Sequence, residues 1–141
     1  MKKTGSAEWK GGLKDGTGTI STQTGVLRNA PYGFKSRFED GPGTNPEELI
    51  GAAHAACFSM AFSLILGNNN LKADYIRTSA AISLEKVGEG FAITASELTV
   101  NAKIPGADAA TFERLANEAK AGCPVSKVLN AKITMSATLD G

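Results

Sequence analysis

The feature that most constrains the fold is an apolar segment from Leu49 to Leu66 that contains no formally charged side chain. Asn45 and Pro46 precede it and can cap and begin a helix, while Gly67 and Asn68 follow it and can end one. The segment therefore predicts a single long helix. An uncharged helix of about 18 residues is nearly long enough to cross a lipid bilayer.

Two observations favour a protein core over a membrane for this helix. His54, Ser59 and Ser63 interrupt the apolar run with polar groups, and no basic residues flank it to set an orientation. Residues 51–56 are small apart from His54, and small residues allow another backbone to approach closely. We therefore expect a helix buried at the centre of a protein, with no membrane partner.

The remaining composition is that of an ordinary globular protein. The chain has 141 residues, of which 42% are hydrophobic, so it is too apolar to be disordered and too short for two independent cores. With 15 Lys and Arg against 14 Asp and Glu, the net charge is +1, so the chain has no large excess of positive charge to attract nucleic acid. Residues 1–8 lack the apolar core of a secretory signal. We expect a cytoplasmic protein in which residues 1–141 form one domain.

Alternation and turn signals predict strands on both sides of the long helix. These strands are expected over residues 5–10, 18–24, 32–38, 76–84 and 91–104, with a final strand over 132–139. The alternation changes parity within the fifth of them, so we expect a bulge or bend near Ala95.

A second helix is predicted from about Asp108 to Gly122, because one of its sides is apolar: Phe112, Leu115, Ala116 and Ala119. The order of elements, strands, helix, strands, helix and strand, predicts an α+β fold. We expect a largely antiparallel sheet packed on the long central helix.

The cysteine and histidine content limits the chemistry. A structural zinc site needs four ligands, whereas Cys57, Cys123 and His54 are the only Cys and His residues of the chain. A small secreted fold held by disulfides uses more than one bridge. The two thiols are therefore either inert core side chains or a redox pair, and general abundance favours inert thiols.

The positions of the two cysteines indicate different reactivities. Cys57 lies well inside the first helix, where the helix dipole has little effect, so it needs a cation from elsewhere to be activated. Cys123, followed by Pro124, opens a helical turn whose backbone donors lower a thiol pKa, and by position it is the better nucleophile. His54 lies one turn before Cys57. It either forms a Cys–His nucleophile or, more commonly for such a residue, packs inside the helix contact.

Two segments around these cysteines resemble the osmotically inducible protein C and organic hydroperoxide resistance family. The matching segments are GTNPEELIGAAHAACFSM at residues 43–60 and AKAGCPVS at residues 119–126, while residues 21–27 and 32–38 are similar to the osmotically inducible branch in particular. The likeness extends from about Ala7 to the end of the chain. This resemblance favours a redox pair over two inert core thiols.

The resemblance implies a thiol peroxidase that reduces organic hydroperoxides, and less readily hydrogen peroxide, to alcohols. It implies that Cys57 attacks, that Cys123 resolves, and that Arg37 is the cation beside Cys57, held by Glu47. Arg28 is the alternative to Arg37. An external dithiol, of the lipoyl type or a small thiol, would then restore both cysteines, and no metal or other cofactor is required at the peroxide step.

The chemistry suits these residue types. Attack of a thiolate on the outer peroxide oxygen releases the alcohol and leaves a sulfenic acid, which a nearby thiol condenses to a disulfide. A guanidinium stays charged at any working pH and offers donors to both sulfur and oxygen. Phe34, Met60 and Phe62 are candidates for an apolar pocket that favours an organic peroxide.

The spacing of two of these residues predicts an active site shared by two chains. Glu47 and Cys57 are ten positions apart, which is about 15 Å along a helix. An Arg37 that touches Cys57 is therefore not easily held by Glu47 of the same helix. We expect an intertwined homodimer with two sites, each using Cys57 of one chain and Glu47 of the other.

Two other functions are compatible with the sequence. One is a binding protein of the same fold that has lost turnover. The other is an acyl-transfer enzyme that uses His54 with Cys57.

Overall fold

The computed structural model describes all residues from Met1 to Gly141, and its α+β architecture confirms the predicted fold class. The elements in chain order are β1 (Gly5–Lys10), β2 (Thr17–Thr22), β3 (Ala30–Tyr32), α1 (Phe34–Phe38), α2 (Pro46–Asn68), β4 (Tyr75–Val87), β5 (Gly90–Lys103), α3 (Ala109–Gly122), α4 (Pro124–Val128) and β6 (Lys132–Asp140). They form two compact units, an N-terminal unit of residues 1–49 and a C-terminal unit of residues 50–141. That the whole chain acts as one domain stays a prediction.

The N-terminal unit contains an antiparallel sheet in the order β1-β2-β3. Trp9 of β1 pairs with Gly18 of β2, and the rings of Trp9 and Tyr32 lie 5.5 Å apart between their centroids. A methyl group at Gly18 would come within 2.6 Å of the Trp9 ring. Position 18 is therefore a glycine because two aromatic side chains cross over it.

The strand expected over residues 32–38 is wrong beyond Tyr32, because the short helix α1 forms there instead. The Gly33 N–H donates to Ser36 Oγ at 2.9 Å, and the Ser36 hydroxyl donates back to the Gly33 carbonyl at 3.1 Å. Phe34 and Phe38 then stack one helical turn apart, with ring centroids at 5.0 Å. The same two phenylalanines satisfy both a strand alternation and a helical i, i+4 contact, and the local hydrogen bonds favour the helix.

The start of α2 agrees with the sequence prediction. Pro46 is its first residue, and Asn45 caps it by accepting a hydrogen bond from the Glu48 N–H at 2.8 Å. The Glu48 carboxylate accepts from the Thr44 hydroxyl at 2.7 Å, which fixes the chain just before the helix.

The end of α2 lies at Asn68, two residues beyond the expected end at Leu66. Asn70 adopts a left-handed conformation with φ of 58°, and the Leu71 N–H donates back to the Leu66 carbonyl at 2.9 Å. An asparagine rather than a glycine therefore supplies the left-handed residue that ends this helix.

The C-terminal unit contains the second sheet, in the order β4-β5-β6. Strands β4 and β5 are antiparallel, whereas β5 and β6 are parallel. The predicted bulge near Ala95 is confirmed, because Ser83 pairs with Ala95 and Leu84 with Ile93, which leaves Thr94 unpaired. The buried residues of β5 all follow the bulge (Ser96, Leu98, Val100 and Ala102), whereas Phe91 before it is 61% exposed. The phase that faces the core therefore begins after the bulge.

The core of the C-terminal unit lies where α2, α3 and this sheet meet. The side predicted to be apolar on α3 is buried as expected, and its members join the buried residues of α2 and β5: Phe58, Phe62, Leu66, Leu98, Val100, Ala102, Phe112, Leu115, Ala116 and Ala119. The Phe62 ring is 5.7 Å from that of Phe58 and 5.9 Å from that of Phe112, which ties the two helices together.

The opposite side of α2 is not covered within the chain. We call it the open face, and it consists of Ala52, Ala53, Ala56, Met60, Ser63 and Leu64. Met60 is 79% exposed and Leu64 is 66% exposed. By length and composition α2 could cross a membrane. Its buried side, however, packs into the C-terminal core and holds the fully buried His54, so we assign it as the core helix of a soluble protein.

Candidate active site

The two cysteines meet in the C-terminal unit. Cys57 comes from the middle of α2 and packs against the core cluster that contains Cys123, which lies at the junction between α3 and α4. Both are free thiols, and each shifts the pKa of the other. Cys123 is 0% exposed, whereas Cys57 is partly exposed. Of the two residues, only Cys57 has surface exposed to solvent.

Within one chain, the surroundings of the pair favour the thiolate form of Cys123 over that of Cys57. Burial raises the pKa of the Cys57 thiol, and its hydrogen bond to Cys123 raises it further against an opposing bond from the backbone of Val125. Burial by itself also raises the pKa of Cys123. Hydrogen bonds from Cys57 and from the backbone and hydroxyl of Ser126 outweigh burial, so that the pKa of Cys123 falls below its ordinary value.

The structure also brings Arg37 and Glu47 together, in the N-terminal unit. Arg37, on α1, donates a hydrogen bond from Nε to Glu47 Oε1 at 3.0 Å, and its Nη2 forms an ion pair with the same oxygen at 3.0 Å. The Glu47 side chain is 10% exposed and that of Arg37 is 39% exposed. Glu47 Oε2 is buried without a hydrogen-bond partner. The carboxylate thus fixes the guanidinium and retains one free acceptor.

His54 does not form a nucleophilic pair with Cys57. Its Nδ1 lies 2.7 Å from Ser96 Oγ and its Nε2 lies 2.8 Å from Ser126 Oγ, so both ring nitrogens are occupied by serines. Burial lowers the pKa of this histidine, which keeps the ring neutral near pH 7. Of the two arrangements left open by the sequence, the structure shows the packed one.

Ser96 and Ser126, the two partners of His54, are not among the residues predicted from the sequence. Ser126 could have been noticed, since it lies three residues after Cys123 in a short helical turn. Ser96 gives no local signal, because it faces the core only through the strand phase that follows the bulge at Thr94.

The other candidate residues lie in three different surroundings. Arg28 is exposed in the loop between β2 and β3 and forms no ion pair. Phe62 is 0% exposed in the core, so the expectation that it lines a substrate pocket is wrong. Met60 lies on the open face. Phe34, in contrast, lines a cavity of about 260 Å³ together with Trp9, Tyr32, Arg37 and Phe38.

No group of three or more His, Cys, Asp or Glu side chains is placed to hold a metal ion. The structure brings the four candidate residues together in two pairs, Arg37 with Glu47 and Cys57 with Cys123.

Comparison with known proteins identifies the family. The family described as OsmC-like protein matches residues 39–138, which include both cysteines and Glu47. The chain belongs to the OsmC-like protein family. This OsmC-like chain is 56% identical to the peroxiredoxin OsmC of Escherichia coli strain K12 over 139 residues, covering 99% of the chain and 97% of the relative.

More distant relatives extend the comparison. The OsmC-like chain is 32% identical over 100 residues to an organic hydroperoxide resistance protein of Xanthomonas axonopodis, covering 70% of the chain and 68% of the relative. Among solved structures, it is similar to the organic hydroperoxide resistance protein OhrB of Bacillus subtilis, with a TM-score of 0.70, 26% identity and coverage of 96% and 98% of the two chains.

Proposed function

We propose that this OsmC-like protein is a cysteine-based peroxidase that reduces organic hydroperoxides, and less readily hydrogen peroxide, to alcohols in the defence against oxidative and osmotic stress. The observation that carries the proposal is the pair of neighbouring free thiols, one partly exposed and one enclosed. The names of the relatives, peroxiredoxin and organic hydroperoxide resistance protein, support the same activity.

In the proposed reaction Cys57 attacks and Cys123 resolves. The Cys57 thiolate attacks the outer oxygen of the hydroperoxide, the O–O bond breaks, and the protonated leaving oxygen departs as the alcohol. Cys123 then attacks the Cys57 sulfenic acid and forms a disulfide as water is released. A dithiol, of the lipoyl type or a small thiol, reduces the disulfide and is itself oxidised. The proposal assigns no metal or other cofactor to these steps.

Cys57 needs a cation, and we assign this role to Arg37. Within its own chain the pKa of Cys57 is raised by burial and by Cys123, which disfavours the thiolate that attacks peroxide. Arg37 is fixed by Glu47, and its guanidinium can donate to both the sulfur and the peroxide oxygens. An arginine that is already oriented loses less freedom when it binds the substrate.

The organic part of the substrate fits the aromatic cavity beside Arg37. Trp9, Tyr32, Phe34 and Phe38 line this cavity of about 260 Å³ with apolar surface. The same guanidinium would then contact the peroxide group while the rings contact the hydrocarbon. This arrangement explains why an organic hydroperoxide would be preferred over hydrogen peroxide.

Two observations support an intertwined homodimer in which the site is shared. Arg37 is held by Glu47 of its own chain, and Glu47 lies ten positions before Cys57 on one helix, or about 15 Å. Arg37 is thus better placed to reach Cys57 of a second copy. The open face of α2 is apolar and contains three alanines, so it suits a close contact with another copy.

A mixed dimer tests the shared site. One chain would contain Cys57→Ser and the other Arg37→Ala. If each site takes Cys57 from one chain and Arg37 from the other, both lesions fall in one site and the second site is intact. We expect about half of the wild-type activity in the isolated mixed dimer, whereas sites within one chain would each contain a lesion. Almost no activity, or a fully active monomer, would contradict the shared site.

The activity itself is tested by mass spectrometry after one equivalent of cumene hydroperoxide. We expect a disulfide between Cys57 and Cys123 and one equivalent of the alcohol. A binding protein that has lost turnover would keep both thiols reduced. An acyl-transfer enzyme would be labelled by an activated ester at Cys57 and would consume no peroxide.

We further propose that the protein acts in the cytoplasm. The chemistry requires thiols that are returned to the reduced state after each turnover, and a reducing compartment supplies the dithiols that do this.

A further inference from the structure

A line of buried polar groups leads from the core of the C-terminal unit to Cys123, and the reaction proposed above does not use it. We call Ser96, His54 and Ser126 the His54 network. His54 and Ser96 are both 0% exposed, and the ring of His54 joins the two serines at 2.7 Å and 2.8 Å. Ser126 lies three residues after Cys123, in the first turn of the helix α4 that Cys123 precedes, and hydrogen bonding from its backbone and hydroxyl lowers the pKa of the Cys123 thiol.

The direction of these hydrogen bonds follows from the single partner of Ser96. Its hydroxyl is fully buried, and the hydrogen of that hydroxyl has one acceptor, His54 Nδ1. Nδ1 is therefore an acceptor, and the neutral ring carries its hydrogen on Nε2. Nε2 donates to Ser126 Oγ, which leaves the hydroxyl hydrogen of Ser126 free to point at the sulfur of Cys123. In the other tautomer this hydrogen would be used by His54.

The hydrogen bond that Ser126 donates to Cys123 matters most when the disulfide between Cys57 and Cys123 is reduced. An external thiolate can attack either sulfur, and the other sulfur must leave as a thiolate. Cys57 is partly exposed and Cys123 is enclosed, so the attack falls on Cys57. Cys123 then leaves, and a leaving thiolate departs faster when hydrogen-bond donors stabilise its charge.

We propose that His54 is a positioning residue for the reductive half of the cycle: through Ser126 it holds a hydrogen-bond donor on Cys123, so that the disulfide opens with Cys123 as leaving group. In this step the bond between the two cysteine sulfurs breaks, a bond forms between the reductant and Cys57, and the electron pair goes to Cys123. The second thiol of the dithiol then displaces Cys57 as thiolate. The inference rests on the proposed function for its place in a catalytic cycle.

The test separates the opening of the disulfide from the attack on peroxide. The Cys57–Cys123 disulfide is made with diamide, so that no peroxidase activity is needed, and its opening by excess dithiothreitol is followed by stopped flow. For Ser126→Ala we expect opening to slow by about tenfold, the size of one hydrogen bond to a charged group. The rate at which the reduced variant attacks cumene hydroperoxide should stay within about twofold of wild type.

Conservative variants distinguish positioning from a general structural effect. Ser126→Thr keeps the hydroxyl and should restore rapid opening. His54→Leu removes the donor to Ser126 and should slow opening, whereas His54→Gln offers an amide N–H in place of Nε2–H and should recover part of the rate. Ser59→Ala is the matched control. It also removes a partly buried serine hydroxyl, but one that lies on α2 and is hydrogen-bonded to Thr78 at 2.7 Å. We expect it to leave opening unchanged.

The outcomes separate this inference from the proposed function. Opening at the wild-type rate in Ser126→Ala overturns the inference, as does an equal slowing of opening and of peroxide attack. If hydroperoxide never forms the disulfide in wild type, the proposed function fails. Slower opening of the diamide-made disulfide in Ser126→Ala would still support the role of the His54 network.

Discussion

Replacing Cys57 with serine is expected to abolish peroxide reduction completely, with no residual turnover above the uncatalysed reaction. Cys57 is the only accessible thiol of the pair, and Cys123 is fully enclosed, so no other sulfur can reach the substrate. The measurement is the consumption of cumene hydroperoxide by the reduced variant in the presence of a dithiol.

The matching variant, Cys123→Ser, should behave differently. It retains the attacking thiol and lacks the resolving one, so we expect a single attack that leaves Cys57 as a sulfenic acid or its further oxidised products. A sulfenic acid trap followed by mass spectrometry identifies the modified residue. A Cys57→Ser protein that forms a sulfenic acid at Cys123 at the wild-type rate would reverse the assignment, in agreement with the lowered pKa of Cys123 in one chain.

The second large effect is expected for Arg37→Ala, which should slow peroxide attack by about 100-fold. Removing one donor that stabilises developing charge costs about this much in other enzymes. Loss of the guanidinium should also raise the pKa of Cys57 further, and each unit corresponds to about 1.4 kcal/mol. Single-turnover rates with cumene hydroperoxide measure the first effect, and the pH profile of alkylation by iodoacetamide measures the second.

The sign of the pH dependence follows from the same argument. The thiolate fraction rises as pH passes the pKa of Cys57, so a higher pKa moves the activity profile of Arg37→Ala to higher pH. The difference in the rate of peroxide attack between variant and wild type should become smaller as pH increases. The part of the difference that comes from the lost hydrogen-bond donors should remain at high pH. Arg28→Ala is the matched control, since Arg28 is an exposed arginine in the same unit. An unchanged alkylation profile in Arg37→Ala, or an equal defect in Arg28→Ala, would contradict the assignment.

Some parts of the fold could be predicted because local chemistry determines them. The start of α2 depends on Asn45 and Pro46, and the buried side of α3 depends on a helical spacing of apolar residues. The bulge opposite Ser83 could be inferred from a change of parity within one strand. In each case a short stretch of sequence contains the whole physical cause.

Other parts could not be predicted, because their causes are distributed along the chain. Residues 34–38 alternate in a way that is compatible with a strand, and two hydrogen bonds between Gly33 and Ser36 decide for a helix. The partners of His54 lie 42 and 72 residues further along the chain, on different elements. Only the folded C-terminal unit reveals that a histidine near Cys57 in sequence contacts Ser126, which follows Cys123 in α4.

The unequal exposure of the two thiols also determines where oxidative damage can accumulate. In the proposed reaction, excess peroxide would oxidise the sulfenic acid of Cys57 again before it is resolved, and would give a sulfinic acid that ordinary thiols do not reduce. Cys123 is enclosed and is spared this fate. Overoxidation of one sulfur atom would therefore be enough to inactivate a site, and the overoxidised protein would keep a reduced thiol at Cys123.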